Sequence, residues 1–270
     1  MDYFPKRIVC LTEETTELLY LIGEQDRIVG ISGFTVRPKR ARKEKPKVSA
    51  FIDANIDQII SLEPDLVIGF SDIQADIAQQ LIKKGITVWV NNHRTVDEIM
   101  KMIVQLGALV GRTETCIDLV NHYEKRIAEI KQITQAWKIK PKVYFEEWYD
   151  PLISGIAWVS ELVELAGGID LYKESGQQSL AKNRIIENHQ DVVEKNPDII
   201  LASWCGKKFK PKRMFERGGW KSIKAYKENE VYEIDSGIIL QPGPASVGEG
   251  IELLHRIFSN WVAKQDQNEA

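Results

Sequence analysis

One ten-residue pattern occurs twice in this chain of 270 residues, and that repetition constrains its fold more than any other feature. Ile59-Ile60-Ser61-Leu62-Glu63-Pro64-Asp65-Leu66-Val67-Ile68 is echoed by Val192-Val193-Glu194-Lys195-Asn196-Pro197-Asp198-Ile199-Ile200-Leu201. Each copy reads as a helix end, a Pro-Asp punctuation and a buried strand. Proline has no N–H with which to continue a helix, and the β-branched run after it suits a parallel sheet covered on both faces. A second echo lies upstream of each copy: Thr16–Gly23 and Ser160–Gly167 both read as an amphipathic helix closed by Gly. Both follow a strand-like segment, Arg7–Leu11 and Lys142–Trp148. Any two α/β segments look somewhat alike, but two echoes in the same order favour two related lobes, at residues 1–111 and 138–270.

Between them, Thr113 to Trp137 contains no Pro or Gly and sets Ile117, Val120, Tyr123, Ile127, Ile130 and Thr134 at three- and four-residue steps. That spacing predicts one helix, about 35 Å long, filling a connection at residues 112–137. Thr113 is the expected N-cap, and Gly107 and Gly111 separate this helix from an earlier one starting near Thr95. The fold class is therefore α/β: two Rossmann-like lobes with central parallel sheets, joined by a single long helix, with a ligand cleft between the lobes. A strut of this kind predicts lobes that rock slightly, with Gly107 and Gly111 as the break points of any larger motion.

Several function classes are excluded by composition. A net charge of −3 gives no overall basic field, so nucleic-acid binding lacks its electrostatic footprint. No apolar run approaches the roughly 18 residues that span a bilayer. Met1 to Arg7 run directly into a strand-like stretch without the signature of an export signal, so the chain as written is expected in the cytoplasm, or in the periplasm or at the cell surface if a signal was removed. Three scattered cysteines, Cys10, Cys116 and Cys205, make no disulfide framework and mildly favour a reducing compartment. The four histidines lack HxH or HxxxH spacing, which argues against a zinc or manganese cluster, although His93 at a strand end can act as an isolated axial ligand. No nucleophile elbow, Walker motif or dinucleotide fingerprint is present. Glu146 and Glu147, as strand neighbours, face opposite sides and would not share a catalytic site.

In α/β proteins ligands bind outside the carboxyl ends of the strands. The residues that follow the expected strands are Phe34, Phe51, Phe70, Trp148, Tyr149, Trp158 and Trp204. Each alone is equally a core or rim aromatic, but their recurrence suits a large flat macrocycle, because aromatic walls bury much apolar area with few rotamers to freeze.

Two α/β lobes, one long helix and a Pro-Asp-strand signature in each lobe resemble the helical-backbone class of ABC-importer substrate-binding proteins, in its cobalamin and ferric-siderophore branch. The resemblance spans Lys6 to Trp261 and is most specific over Val48–Phe51, Ile56–Phe70, Ile153–Trp158 and Asn196–Ile200. It implies a binding protein rather than an enzyme, monomeric, with no intrinsic cofactor. The implied ligand is a small-molecule metal chelate, first a cobalamin-like corrinoid and alternatively a ferric siderophore or haem; an enzyme acting on such a ligand is the rival from another class. The branch's aromatic pocket positions fall on Phe51, Phe70, Trp148, Trp158 and Trp204, with Phe at the first two where Trp is more usual. Importer-coupled members present one exposed Glu per lobe to the ABC permease. Those positions fall near Ala75 or Asp76 and at Gln190, where no charge is available, so Asp76 and Glu187 are the docking candidates and weak docking is expected.

Three further segments have two readings each. Cys205 is either a thiolate ligand at a cleft mouth or a small semi-buried residue at a strand end. Gln241–Gly248, which includes Pro244, either offers backbone N–H groups to a ligand oxygen or is a plain turn into the last helix. The basic run Arg37 to Lys47 is either a solvated loop or a surface for an anionic siderophore or a phosphate-bearing corrinoid.

Overall fold

Where the two Pro-Asp copies dock determines which strands are neighbours. The computed structural model describes residues 3–178 and 180–269, and these divide into two units. The first comprises the chain through His93, Asp97–His122 and Gln241–Pro244; the second comprises Arg94–Val96, Tyr123–Leu240 and the chain from Ala245.

The first unit holds β1 (Ile8–Cys10), β2 (Ile28–Ser32), β3 (Lys47–Ser49), β4 (Leu66–Phe70) and β5 (Val88–Asn91) in the order β3-β2-β1-β4-β5. Every pair in it is parallel. The second holds β6 (Lys142–Tyr149), β7 (Leu152–Ser154), β8 (Ile169–Asp170), β9 (Ile199–Ala202) and β10 (Val231–Glu233) in the order β10-β9-β6-β7, with β8 also paired to β6. Here β7 runs antiparallel to β6, so this sheet departs from the wholly parallel expectation at one edge. Only Asp150 and Pro151 separate the two strands, far too few residues for a parallel crossover.

Both repeated blocks fold alike. The helices Ile56–Ser61 and Gln190–Lys195 each end in a left-handed residue, Glu63 (φ 47°) and Asn196 (φ 47°), followed by Pro. The next residue is the Asp, which grips the start of the neighbouring strand. Asp65 receives the Lys6 N–H at 2.7 Å and the Arg7 N–H at 3.0 Å, and returns its own N–H to the Arg7 carbonyl at 3.0 Å. Asp198 receives the Lys142 N–H at 2.8 Å and returns its N–H to the Lys142 carbonyl at 2.8 Å. The strands then run in parallel register, Ile8 beside Leu66 and Val143 beside Ile199. The upstream echoes become the helices Glu13–Leu21 and Ala157–Leu165.

The long helix is Thr113–Gln135, two residues shorter at its end than the spacing implied, and Thr113 is its first residue rather than its cap. It buries Cys116, Val120, Ile130 and Thr134. Gly107 does not separate the two helices. It lies inside the helix Val96–Leu109, where a Cβ would collide with the Cys116 Sγ, so its role is close helix approach. In the helix Glu13–Leu21, Glu13, Glu14 and Glu17 are all buried. Thr12 donates to Glu14 Oε1 at 2.6 Å, and Gly243 lies so close that a Cβ there would meet the Glu14 Cβ at 2.5 Å. Burial, reinforced by the neighbouring Glu13 charge, pushes the Glu14 carboxyl up to about 8.

Two outcomes follow from these contacts. Asp198 is buried, so Asp198→Ala strands the Lys142 N–H and should lower stability by about 1–3 kcal/mol in urea denaturation, whereas Asp65→Ala, at an exposed site where water replaces the carboxylate, should cost less. Because the folded state holds a proton on Glu14 that the unfolded state releases near pH 4.5, stability should fall as pH rises from about 5 to about 8 and level off above. Denaturation of Glu14→Gln across the same range should show a slope smaller by roughly one proton.

Candidate functional site

In each sheet the chain leaves a central strand for one side and returns to the other, which opens a crevice at the carboxyl ends of two adjacent strands. In the second unit those strands are β6 and β9. A bulge at Glu147, where Glu146 faces Ser154 but Trp148 faces Ile153, re-aims the end of β6. Beyond it, Trp148 and Tyr149, chain neighbours that a regular strand would send to opposite faces, stack at 4.9 Å with 27° between their planes. Tyr149 meets Trp204, which follows β9, at 4.4 Å, and Trp204 meets Phe209 edge-on at 5.1 Å.

Beneath this stack lies Glu146, fully buried. It accepts the Trp204 indole N–H at 3.0 Å, the Tyr144 hydroxyl at 3.0 Å and an Arg217 N–H at 2.6 Å, while Arg217 also donates to the Tyr149 carbonyl at 2.7 Å. Burial pushes the Glu146 carboxyl up, and Arg217 pulls it back. Removing either partner would leave a charge in the core, so the pair holds the stack in one geometry. Glu147 pairs instead with Arg184 at 2.7 Å, so the two carboxylates serve different partners. Beside Trp204 opens a concavity of 520 Å³ lined by Lys207, Lys208, Glu233, Asp235 and Ser236 among others. Cys205 is exposed next to it.

Trp158 does not join this group. It is 4% exposed in the helix Ala157–Leu165, and its indole donates to the Ile239 carbonyl at 2.9 Å. Glu187 is exposed, and Gln190 donates its side-chain amide to the Gly218 carbonyl at 2.8 Å.

The corresponding crevice of the first unit lies between β1 and β4. Phe34 and Phe51, after β2 and β3, are 51% and 42% exposed. Phe70 is buried at the end of β4, edge-on to His93 at 5.0 Å. His93 places its Nε2 2.8 Å from the Pro242 carbonyl, within a strap, Gln241–Pro244, in which Pro244 is buried. Asp76 is exposed in the first turn of the helix Ala75–Lys83. The arginines of the basic run are mostly occupied: Arg37 pairs with Glu17 at 2.7 Å, and Arg42 donates to the Gly33 and Thr35 carbonyls.

Sequence reasoning passes over Lys207, Arg213 and Arg217, and weighs Glu146 only as half of a catalytic pair. The first two carry a signal, a run of Lys207, Lys208, Lys210, Lys212 and Arg213 just after Trp204. Glu146 and Arg217 carry none, being 71 residues apart. Flat apolar rings, fixed hydrogen-bond partners and lining cations make a surface for holding a ligand. Among the described residues no group of three or more His, Cys, Asp or Glu side chains is placed to hold a metal, and no helix is long and apolar enough to cross a membrane.

Comparison with known proteins bears on the fold and the family. The chain is 29% identical over 256 residues to an uncharacterised ABC transporter substrate-binding lipoprotein of Bacillus subtilis, covering 93% of this chain and 79% of the relative. It is 28% identical over 210 residues to a vitamin B12-binding protein of Vibrio cholerae, covering 74% and 71%. The fold matches the apo periplasmic haem-binding protein of Roseiflexus sp. RS-1 with a TM-score of 0.81 at 20% identity, over 95% of this chain and 99% of that one. A sequence model of the periplasmic binding protein family matches residues 8–237, most of both lobes, and the chain belongs to that family of transport substrate-binding proteins.

Proposed function

We propose that this protein binds a cobalamin-like corrinoid, as the substrate-binding component of an ABC importer or a soluble relative of one. The observation that carries this reading is the Trp148–Tyr149–Trp204 stack at the β6–β9 crevice, a broad aromatic surface held in place by Glu146 and Arg217. Phe34 and Phe51 offer apolar surface of the same kind at strand ends of the first lobe. Cobalamin is also what the Vibrio cholerae relative is named for binding. Haem is the second reading. It is favoured by the exposed Cys205, one residue beyond Trp204, whose thiolate is a ligand type for haem iron.

Titration of the purified protein with cyanocobalamin, haemin and a ferric siderophore, followed in the visible spectrum, decides among them. Trp148→Ala should weaken binding by about 1–3 kcal/mol with little change in Tm. Trp158→Ala should instead destabilise the fold by about 3–5 kcal/mol, since that ring is core. Full affinity in Trp148→Ala would remove the aromatic wall from the site.

Coupling to a permease is proposed to be weak. Gln190 supplies no charge and its amide is engaged with Gly218, which leaves Asp76 and Glu187 as the exposed carboxylates for docking. In cells lacking their own binding protein, this chain fused to an export signal should restore ligand uptake only partly. Full restoration, abolished by Asp76→Ala or Glu187→Ala, would overturn the proposal.

A further inference from the structure

The aromatic stack is overlaid by cations. Lys207 holds its Nζ 4.9 Å from the Trp148 ring centre and 5.7 Å from that of Tyr149, and donates to the Tyr149 hydroxyl at 3.4 Å. Arg213 lays its guanidinium 3.9 Å from the Tyr149 ring centre. Both residues are exposed. The buried Arg184 and the half-buried Arg217 of this lobe are neutralised, by Glu147 and Glu146 respectively. Among the described residues Lys207 and Arg213 have no such carboxylate. Two carboxylates do line the concavity that Lys207 borders, Glu233, which accepts the Phe209 N–H at 2.9 Å, and Asp235, which accepts the Gly237 N–H at 2.7 Å, but neither stands within ion-pair distance of Lys207 or Arg213.

A cation seated on a ring face is held by the ring quadrupole, which fixes its position without cancelling its charge. The remaining N–H donors stay available. Arg213 presents the planar fork that matches two oxygens of one carboxylate or phosphate, and Lys207 presents a compact point charge beside it. The cations also cover ring surface that a purely apolar ligand would need for stacking, so this end of the stack is selective as well as adhesive.

We propose that Lys207 and Arg213 form an anion-recognising subsite on the Trp148–Tyr149–Trp204 stack, and that the ligand of this protein presents anionic oxygens, phosphate or carboxylate, to the second lobe. The inference rests on the reading that a metal chelate binds at this stack. It divides that ligand class by charge: a chelate whose periphery is neutral lacks the partner these cations require.

The test uses matched pairs that differ in the anionic group. The pairs are cyanocobalamin against dicyanocobinamide, which lacks the nucleotide loop and with it the phosphodiester, haemin against haemin dimethyl ester, and ferric aerobactin, a hydroxamate chelate that carries carboxylates, against the neutral hydroxamate chelate ferrichrome. For whichever pair the full-length protein binds, the anionic member should bind tighter by on the order of tenfold, with an advantage that shrinks as salt is raised. The variant Lys207→Gln/Arg213→Gln should lose most of that advantage while keeping the affinity for the neutral member. A control of equal charge change, Lys210→Gln/Lys212→Gln, should keep the advantage. Equal affinity for both members of the bound pair, or equal loss for both in the double variant, overturns the anion subsite while leaving the chelate reading intact. Binding of none of the six compounds overturns the chelate reading itself, and the subsite with it.

Discussion

A carboxylate gripping the first backbone amides of the neighbouring strand fixes the register of both sheets. Asp65 does this for β1 and Asp198 for β6, each by an exchange in which the side chain accepts a strand N–H and the backbone N–H returns to a strand carbonyl. The strand pairs begin at these contacts, and their length carries β1 and β4, or β6 and β9, to a common carboxyl end. A slip of one residue would turn Tyr144 and Glu146 toward the opposite face and dismantle the layer that supports the aromatic stack. The site at one end of the sheet thus depends on an acid–amide contact at the other.

Much of this architecture is legible in the sequence because the signals are local. A Pro that ends a helix and a β-branched run that enters a sheet lie within ten residues, and both copies fold as that block implies. Periodicity marks the long helix, since its buried positions recur at helical steps. What local signals cannot convey is the use of the Asp: its partners Lys6 and Arg7 lie 59 and 58 residues away, so the block reads as punctuation when it is also a clamp. The antiparallel β7 and the close approach at Gly107 escape for the same reason, both being decided by what packs alongside.

The candidate site is legible in kind more than in detail. Strand-end aromatics are found by rule, and Trp148, Tyr149 and Trp204 do come together, because the chain crosses the sheet between β6 and β9. Trp158 follows the same rule of position, yet it turns into the core, where its N–H meets a carbonyl 81 residues away. The stacking of two sequential rings, Trp148 on Tyr149, is invisible to a strict alternation. The buried Glu146–Arg217 pair is set by tertiary contact alone.

The strap Gln241–Pro244 bears on the order in which the molecule is made. It lies late in the chain, after every strand of both sheets, yet it belongs to the first unit, where its glycine packs on Glu14 and its proline carbonyl meets His93. A ribosome delivers all five strands of the first sheet long before it delivers this closing piece. The first lobe therefore emerges early and is completed late, and until the strap follows it lacks the strap's contacts to Glu14 and His93. A gene fragment cut after the long helix would encode every strand of that lobe and still lack part of its wall, so its natural boundary in space has no counterpart as a single boundary in sequence.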